Sequence, residues 1–349
     1  MNRFFHISFL IAIATLALWG ANRSQTPQFT DNNGAVIPTS IASLERVDVG
    51  GVGQYVLIRG KDISNPVLLF LHGGPGVPLM FLAHKFQAPL EGHFVVVQWD
   101  RRGAGKSYDS DVPPETINVE QELSDTKAVI DMLRGRFHQD RIYLVGHSYG
   151  SYLGMIAAQR MPERLHAYIG VGQEACTASK ENEIEDRWFR QMALRTHNRK
   201  VLDELEGRRP LDRDRLLFEF GGELHSETSW TALLNIALGA PEYSIMDLFK
   251  IQSGIDYTSK HMRYNAINGA LMDAVPQVQI PVYFFTGRYD YTVPFQCTEQ
   301  YFKRLVAPAK KMVWFDKSAH FAFLEEPEKF ATEMDKIIKP ETDLVTIEP

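Results

Sequence analysis

The sequence is short of the residues that mark several large protein classes. It holds only two cysteines, Cys176 and Cys297, with no Cys-x-x-Cys and no histidine-rich cluster, so nothing in it suggests a zinc site or another metal site. It lacks a basic excess. Against 43 Asp and Glu stand 37 Lys and Arg, and the net charge of −6 argues against a nucleic-acid partner. There is no internal repeat and no low-complexity tract, which excludes solenoids and repeat arrays. The longest nearly all-apolar stretch, Phe4 to Trp19, is 16 residues, short of the roughly 20 that a membrane-spanning helix needs. What remains is an ordinary globular composition, 44% hydrophobic and 23% charged over 349 residues, enough for one large core with an insertion.

That apolar run is nevertheless distinctive. Asn2-Arg3 gives a short positive start, and the small residues Gly20 and Ala21 follow the run. Residues 1–24 read as a signal peptide or an uncleaved N-terminal membrane anchor. The expected location is therefore periplasmic or extracellular, or at a membrane held by the N-terminus. No cysteine follows, against a lipoprotein, and a buried N-terminal helix is the alternative. Residues 25–40 read as a polar linker, so the folded domain is expected from about residue 41. The two cysteines read first as separate small buried residues, with a disulfide between them as the alternative in an exported chain.

From residue 41 the pattern is that of an α/β protein. Leu44–Val49 and Gln54–Gly60 flank a glycine turn and read as an antiparallel hairpin. Continuous apolar runs at 66–71, 94–99, 142–145 and 167–172 read as strands buried on both faces of a parallel sheet. Residues 119–136 between them are amphipathic and helical. From about 174 to 276 charged helical segments dominate, and the strand pattern resumes at 281–286 and 311–315 before a last helix at 326–338. The expected architecture is a mostly parallel sheet with helices on both faces, a core at 41–173 and 277–349, and a helical cap at 174–276.

The candidate chemistry centres on Gly146-His147-Ser148-Tyr149-Gly150, which joins the strand at 142–145 to a helix. Gly-x-Ser-x-Gly at a tight strand-to-helix turn holds a strained serine whose hydroxyl projects above the sheet. A serine needs a base, and the base needs an orienting carboxylate. Asp290 follows the strand at 281–286, and His320 follows the strand at 311–315. The competing Asp203, Asp247 and Asp273 follow no core strand, His72 and His147 belong to glycine turns, and His261 lies in the cap. The order Ser148, Asp290, His320 leaves gaps of 290 − 148 = 142 and 320 − 290 = 30 residues. The first has room for a cap, and the second fits one helix and one strand. An oxyanion hole is expected from the backbone N–H of Tyr149 and from the glycine loop His72-Gly73-Gly74-Pro75-Gly76, with Gly74 the leading donor. This chemistry needs no metal or cofactor. Gly103-Ala104-Gly105-Lys106-Ser107 is not a phosphate-binding loop, because the position that must be glycine is Asp100. Residues 100–107 are expected to shape the sheet edge near the site.

These motifs resemble the prolyl iminopeptidase group of α/β hydrolases, over roughly residues 44–173 and 278–338. The resemblance rests on His72-Gly73-Gly74-Pro75-Gly76, on Asp100 to Ser107, and on Ser148 with Asp290 and His320. It implies an α/β-hydrolase fold and a serine hydrolase that removes N-terminal residues, typically proline, from small peptides. It also implies cap glutamates that hold the substrate's free amino terminus. Glu174, Glu181, Glu183 and Glu185 are the candidates for that role, each with a solvated helix face as the plainer reading. Two features depart from the group. Its elbow usually reads Gly-Gly-Ser-Trp-Gly, and its Trp-Ser-x-x-Trp-Glu cap segment is missing here. An ester or lactone hydrolase with the same triad is the second reading. A non-catalytic binding protein on this fold is the third.

Overall fold

The computed structural model describes residues 24–226, 231–263 and 269–339. The expected signal or anchor segment therefore lies, apart from Ser24, outside the described residues. Eight strands form one sheet in the order β1-β2-β4-β3-β5-β6-β7-β8. They are β1 (Ile41–Val49), β2 (Val52–Gly60), β3 (Val67–Leu71), β4 (Val95–Asp100), β5 (Ile142–His147), β6 (Leu165–Val171), β7 (Val282–Gly287) and β8 (Lys310–Phe315). The hairpin β1–β2 joins β4 antiparallel, and every other pairing is parallel. In the parallel part, β3, β4 and β7 are buried at every position. Such strands must be covered on both faces, and two apolar clusters do so. One packs Leu69, Leu71, Leu144, Leu153 and Ile156, the other Phe70, Phe86, Phe285, Phe323 and Phe330.

Helices of seven residues or more are numbered here in chain order. The core carries α1 (Val119–Phe137) and α2 (Tyr149–Arg160), and later α8 (Phe295–Arg304) and α9 (Pro327–Ile338). Between β6 and β7 lie α3 (Ala178–Arg195), α4 (Arg199–Leu205), α5 (Arg213–Phe220), α6 (Thr231–Leu238) and α7 (Ile245–His261), with no strand among the described residues of this stretch. Side-chain oxygens of Thr177, Asn198, Asp212 and Ser244 cap α3, α4, α5 and α7. This local capping lets charged, weakly apolar segments hold helical form. A small core of Trp188, Phe189, Val201, Leu216 and Leu217 gathers α3, α4 and α5.

Two expectations need correction. Cys176 and Cys297 are joined in a disulfide, with Cα atoms 5.6 Å apart. The reason is topological. β6 and β7 are parallel neighbours, so the loop after β6 and the helix after β7 leave the same edge of the sheet. Residues 25–40 also do not run free. Arg59 Nη1 donates to the Pro27 carbonyl at 2.6 Å, Gln25 N–H donates to the Pro241 carbonyl at 3.0 Å, and Thr30 bridges Val36. Polar composition suggested a linker, but those polar groups find partners on the core and the cap.

Candidate active site

Ser148 sits between β5 and α2 with φ 54° and ψ −128°, a left-handed backbone that a non-glycine residue adopts only under constraint. The constraint is close packing. A Cβ on Gly150 would lie 2.1 Å from the Leu71 carbonyl oxygen, so no side chain fits there. The Ser148 N–H donates to the Val171 carbonyl at 3.0 Å, which ties the turn to β6.

Asp290 and His320 meet beside this turn. His320 Nδ1 donates to Asp290 Oδ2 at 3.0 Å, and both residues are almost fully buried. Asp290 Oδ1 accepts the Val293 N–H at 2.9 Å, fixing the carboxylate in its loop. His147 braces the imidazole from the other side. Its Nε2 donates to the His320 carbonyl at 3.1 Å, and the two rings lie 4.6 Å apart. Burial holds His147 well below the usual histidine range, so it is a neutral donor. With Nδ1 committed to Asp290, the second nitrogen of His320 is the one available for proton exchange. Ser148 and His320 line one cavity of about 790 Å³ together with Gly73, Gly74 and Pro75. Tyr149 opens helix α2 directly after Ser148.

The glycine loop is held by the Asp100–Ser107 segment. Arg101 Nη1 donates to the His72 carbonyl at 2.6 Å, and the Arg101 N–H donates to His72 Nε2 at 3.1 Å. Arg101 in turn lies beside Glu122 and under the Tyr149 ring. One buried guanidinium thus spans the glycine loop and the residue after Ser148. Arg102 pairs with Asp125 at 2.9 Å, and Lys106 reaches Asp247 on cap helix α7 at 2.6 Å. Asp247 is therefore a cap-to-core tie.

The glutamates separate into two groups. Glu183 points outward on α3 and pairs with Lys180 at 2.9 Å and with Arg187, so the expectation of a binding role is not met there. Position i, i+3 and i, i+4 partners on an exposed helix face explain this. Glu185 is buried against Arg213 at 2.7 Å. Glu174 and Glu181 instead lie close to the His320–Asp290 pair. Burial pushes Glu174 up to about 7, against the pull of His320. Burial, with Glu174, Glu185 and Asp290 adding, pushes Glu181 up to about 9. Glu223, which the sequence did not single out, joins them. It lines the cavity, its carboxylate accepts the Thr292 hydroxyl, and its backbone carbonyl accepts the His320 N–H at 3.0 Å. Burial raises its carboxyl above the ordinary range, and His320 pulls the other way. The only sequence signal for Glu223 was the Gly221-Gly222 pair before it, which ends α5 with Gly221 at φ 78°.

This acidic surrounding acts back on the histidine. Burial disfavours the imidazolium, but Asp290, by charge and hydrogen bond, together with Glu223 and Glu174 outweighs it and carries His320 up to about 9. Gly172, with φ +55°, gives the ring its space. A Cβ there would lie 2.6 Å from His320 Cε1. Away from these polar groups the cavity is apolar, lined by Leu217, Leu233, Leu248, Ile251 and Ile255.

The chain is similar to known proteins in sequence and in fold. A family profile described as "Alpha/beta hydrolase family" matches residues 68–333. "Probable aminopeptidase YbaC" of Bacillus subtilis (strain 168) is 30% identical over 310 residues, covering 85% of this chain and 96% of that protein. "Proline iminopeptidase" of Heyndrickxia coagulans is 23% identical over 305 residues, covering 81% and 94%. The crystal structure of proline iminopeptidase from Mycobacterium smegmatis superposes with a TM-score of 0.61 at 19% identity, over 85% of this chain and 98% of that one. With its eight-stranded sheet, its elbow and these relatives, the chain belongs to the alpha/beta hydrolase family.

Proposed function

We propose that the chain is a serine aminopeptidase that removes the N-terminal residue from short peptides. One observation carries this reading. Three half-buried carboxylates, Glu174, Glu181 and Glu223, stand around His320, and among the described residues no lysine or arginine pairs with any of them. Carboxylates partly withdrawn from water without a counter-ion are costly, and a substrate ammonium is the cation that would relieve them. Glu223 lines the cavity that Ser148 lines, so an ammonium held there brings the first peptide carbonyl toward the serine. The relatives named aminopeptidase and proline iminopeptidase support the same reading.

In this mechanism the Ser148 hydroxyl attacks the scissile carbonyl while His320 takes its proton. Asp290 holds the imidazole in the tautomer that makes this possible. The N–H groups of Gly74 and Tyr149 stabilise the oxyanion. His320 then gives the proton to the leaving amine. Water, activated by His320, attacks the acyl-enzyme, frees the amino acid and restores Ser148. The substrate ammonium has a second effect. It offsets part of the negative field that raises His320, and so favours the neutral base that the first step requires.

The second reading, a carboxylic ester hydrolase, draws on the apolar lining of the cavity beyond Ser148. The two part on one assay. An amino-acid arylamide with a free amino group should be hydrolysed, its N-acetyl form should not, and Ser148→Ala should abolish the reaction. Turnover of aryl esters alone, indifferent to a free amine, would replace the aminopeptidase with an esterase.

A further inference from the structure

Ten large apolar side chains stand exposed among the described residues, and five of them fall within residues 234–249: Leu234, Leu238, Ile245, Met246 and Phe249. Phe249 is 68% exposed and Leu238 63%. They lie on α6 and on the opening turns of α7, two helices that pack against each other. The opposite sides of the same helices carry Leu233, Ala237, Leu248 and Ile251, which line the active-site cavity. Leu234 belongs to both surfaces. Further along α7 the exposed positions turn polar, with Gln252, Ser253, Asp256, Ser259 and Lys260. Within the described cap the exposed large apolar side chains thus cluster on α6 and the start of α7, with Leu194 on α3 standing apart, and a cluster of that kind marks an interaction surface.

That end of the cap is also where the N-terminal arm attaches. Lys106 Nζ donates both to Ser24 Oγ at 2.9 Å and to Asp247 Oδ2 at 2.6 Å, within the first turn of α7. The Gln25 N–H bonds to Pro241, which lies between Leu238 and Ile245 in the chain. The apolar stretch Phe4–Trp19 precedes Ser24 by a few residues, a tether of at most roughly 18 Å even when fully extended. The described arm therefore begins beside the exposed face of the cap, and the sequence carries an apolar stretch a few residues before that point.

We propose that the outer face of α6 and the start of α7 docks on a lipid bilayer, next to the point where the N-terminal segment enters it. A helix face of this kind settles at the boundary of headgroups and acyl chains, and a single weak apolar signal gives only marginal binding where two give stable attachment. Here the arm and the cap supply the two. The Cys176–Cys297 disulfide fits a chain on the oxidising side of a membrane. Leu234, part exposed face and part cavity wall, then connects the bilayer surface to the cavity. The inference does not depend on which bond Ser148 cleaves.

The test uses the full chain. Both native cysteines are paired, so Phe249→Cys accepts an environment-sensitive thiol dye, with Glu183→Cys on the outer face of α3 as the control and Leu238→Cys as a second position on the patch. Retained turnover of an aryl ester by each labelled protein shows that it is folded. On adding phosphatidylcholine–phosphatidylglycerol vesicles, the dye at 249 and at 238 should shift to the blue and brighten, as expected for entry into the interface, and nitroxide-labelled lipids should quench it. The dye at 183 should do neither. No response at 249 and 238, or an equal response at 183, overturns the proposal. So does a dye that is already blue-shifted before vesicles are added and is untouched by nitroxide lipids. Such a signal would mean that the N-terminal segment or, if it grows with protein concentration, a second copy covers the face.

Discussion

The two walls of the cavity are built differently. The core wall is made of strand ends. β3, β5, β7 and β8 deliver His72, Ser148, Asp290 and His320 to one edge of a sheet in which β3, β4 and β7 are buried at every position. The cap wall is made of short helices held by caps, surface ion pairs and a small core of its own. Yet the cap supplies Glu223 and most of the apolar lining. The contrast separates two tasks. A rigid sheet edge holds groups that must meet within a fraction of an ångström, and a more loosely built insertion determines what is brought to them.

The sharpest way to break this comparison is to remove the core chemistry. Ser148→Ala should lower kcat by on the order of 10⁵ to 10⁶, and Asp290→Asn by about 10⁴ through the wrong imidazole tautomer, with little change in substrate affinity. Single-turnover assays would read both. If Ser148→Ala kept substantial activity, the core wall would not hold the nucleophile.

A smaller effect is expected at the tie between the walls. Asp247→Ala leaves the Lys106 ammonium, 3% exposed, without its carboxylate, a loss of about 3 kcal/mol when a buried pair is broken. Urea denaturation should show a lower midpoint. A single transition would mean that cap and core unfold together, and two transitions that the cap loosens first.

The pH profile links the walls electrostatically. The base works deprotonated, and the acids around His320 raise it to about 9. On a substrate without an amine, kcat/KM should therefore rise as pH climbs toward 9. Glu223→Gln removes one of the negative charges that favour the imidazolium, so the rising limb should move to lower pH. An unmoved limb would detach Glu223 from the histidine. The smallest effect is expected for Glu183→Gln. Its carboxylate is exposed and already paired with Lys180, so kcat/KM on an amino-acid arylamide should change by less than about two-fold.

The same division governs what could be read from the sequence. Ser148 was legible because a tight strand-to-helix turn needs small residues on both sides, and that demand is written within five positions. Asp290 and His320 could be located because apolar strands point to the loops that follow them. The parallel sheet was legible for the same reason. The cap hid its contribution. Glu223 sits in a loop after α5 with no periodic pattern around it, and only the three-dimensional path brings it to His320. Glu183 and Glu181 are two residues apart on one helix, so composition could not tell the exposed one from the half-buried one. The disulfide depended on which strands are neighbours, and the packing of residues 25–40 on partners such as Arg59 and Pro241, neither of which lies nearby in sequence.

One measurement tests the central claim most directly: that the core cleaves and the cap acids choose. Alanine and N-acetylalanine aryl esters differ only at the amine, a charged ammonium in one and a neutral acetamide in the other. The ratio of their kcat/KM values should strongly favour the free amine in the native chain. Glu223→Gln should lower that ratio about ten-fold or more, as expected for loss of a charge-assisted hydrogen bond, while the N-acetyl ester is turned over nearly as before. A native ratio near one, or a ratio that Glu223→Gln leaves unchanged, would contradict the account.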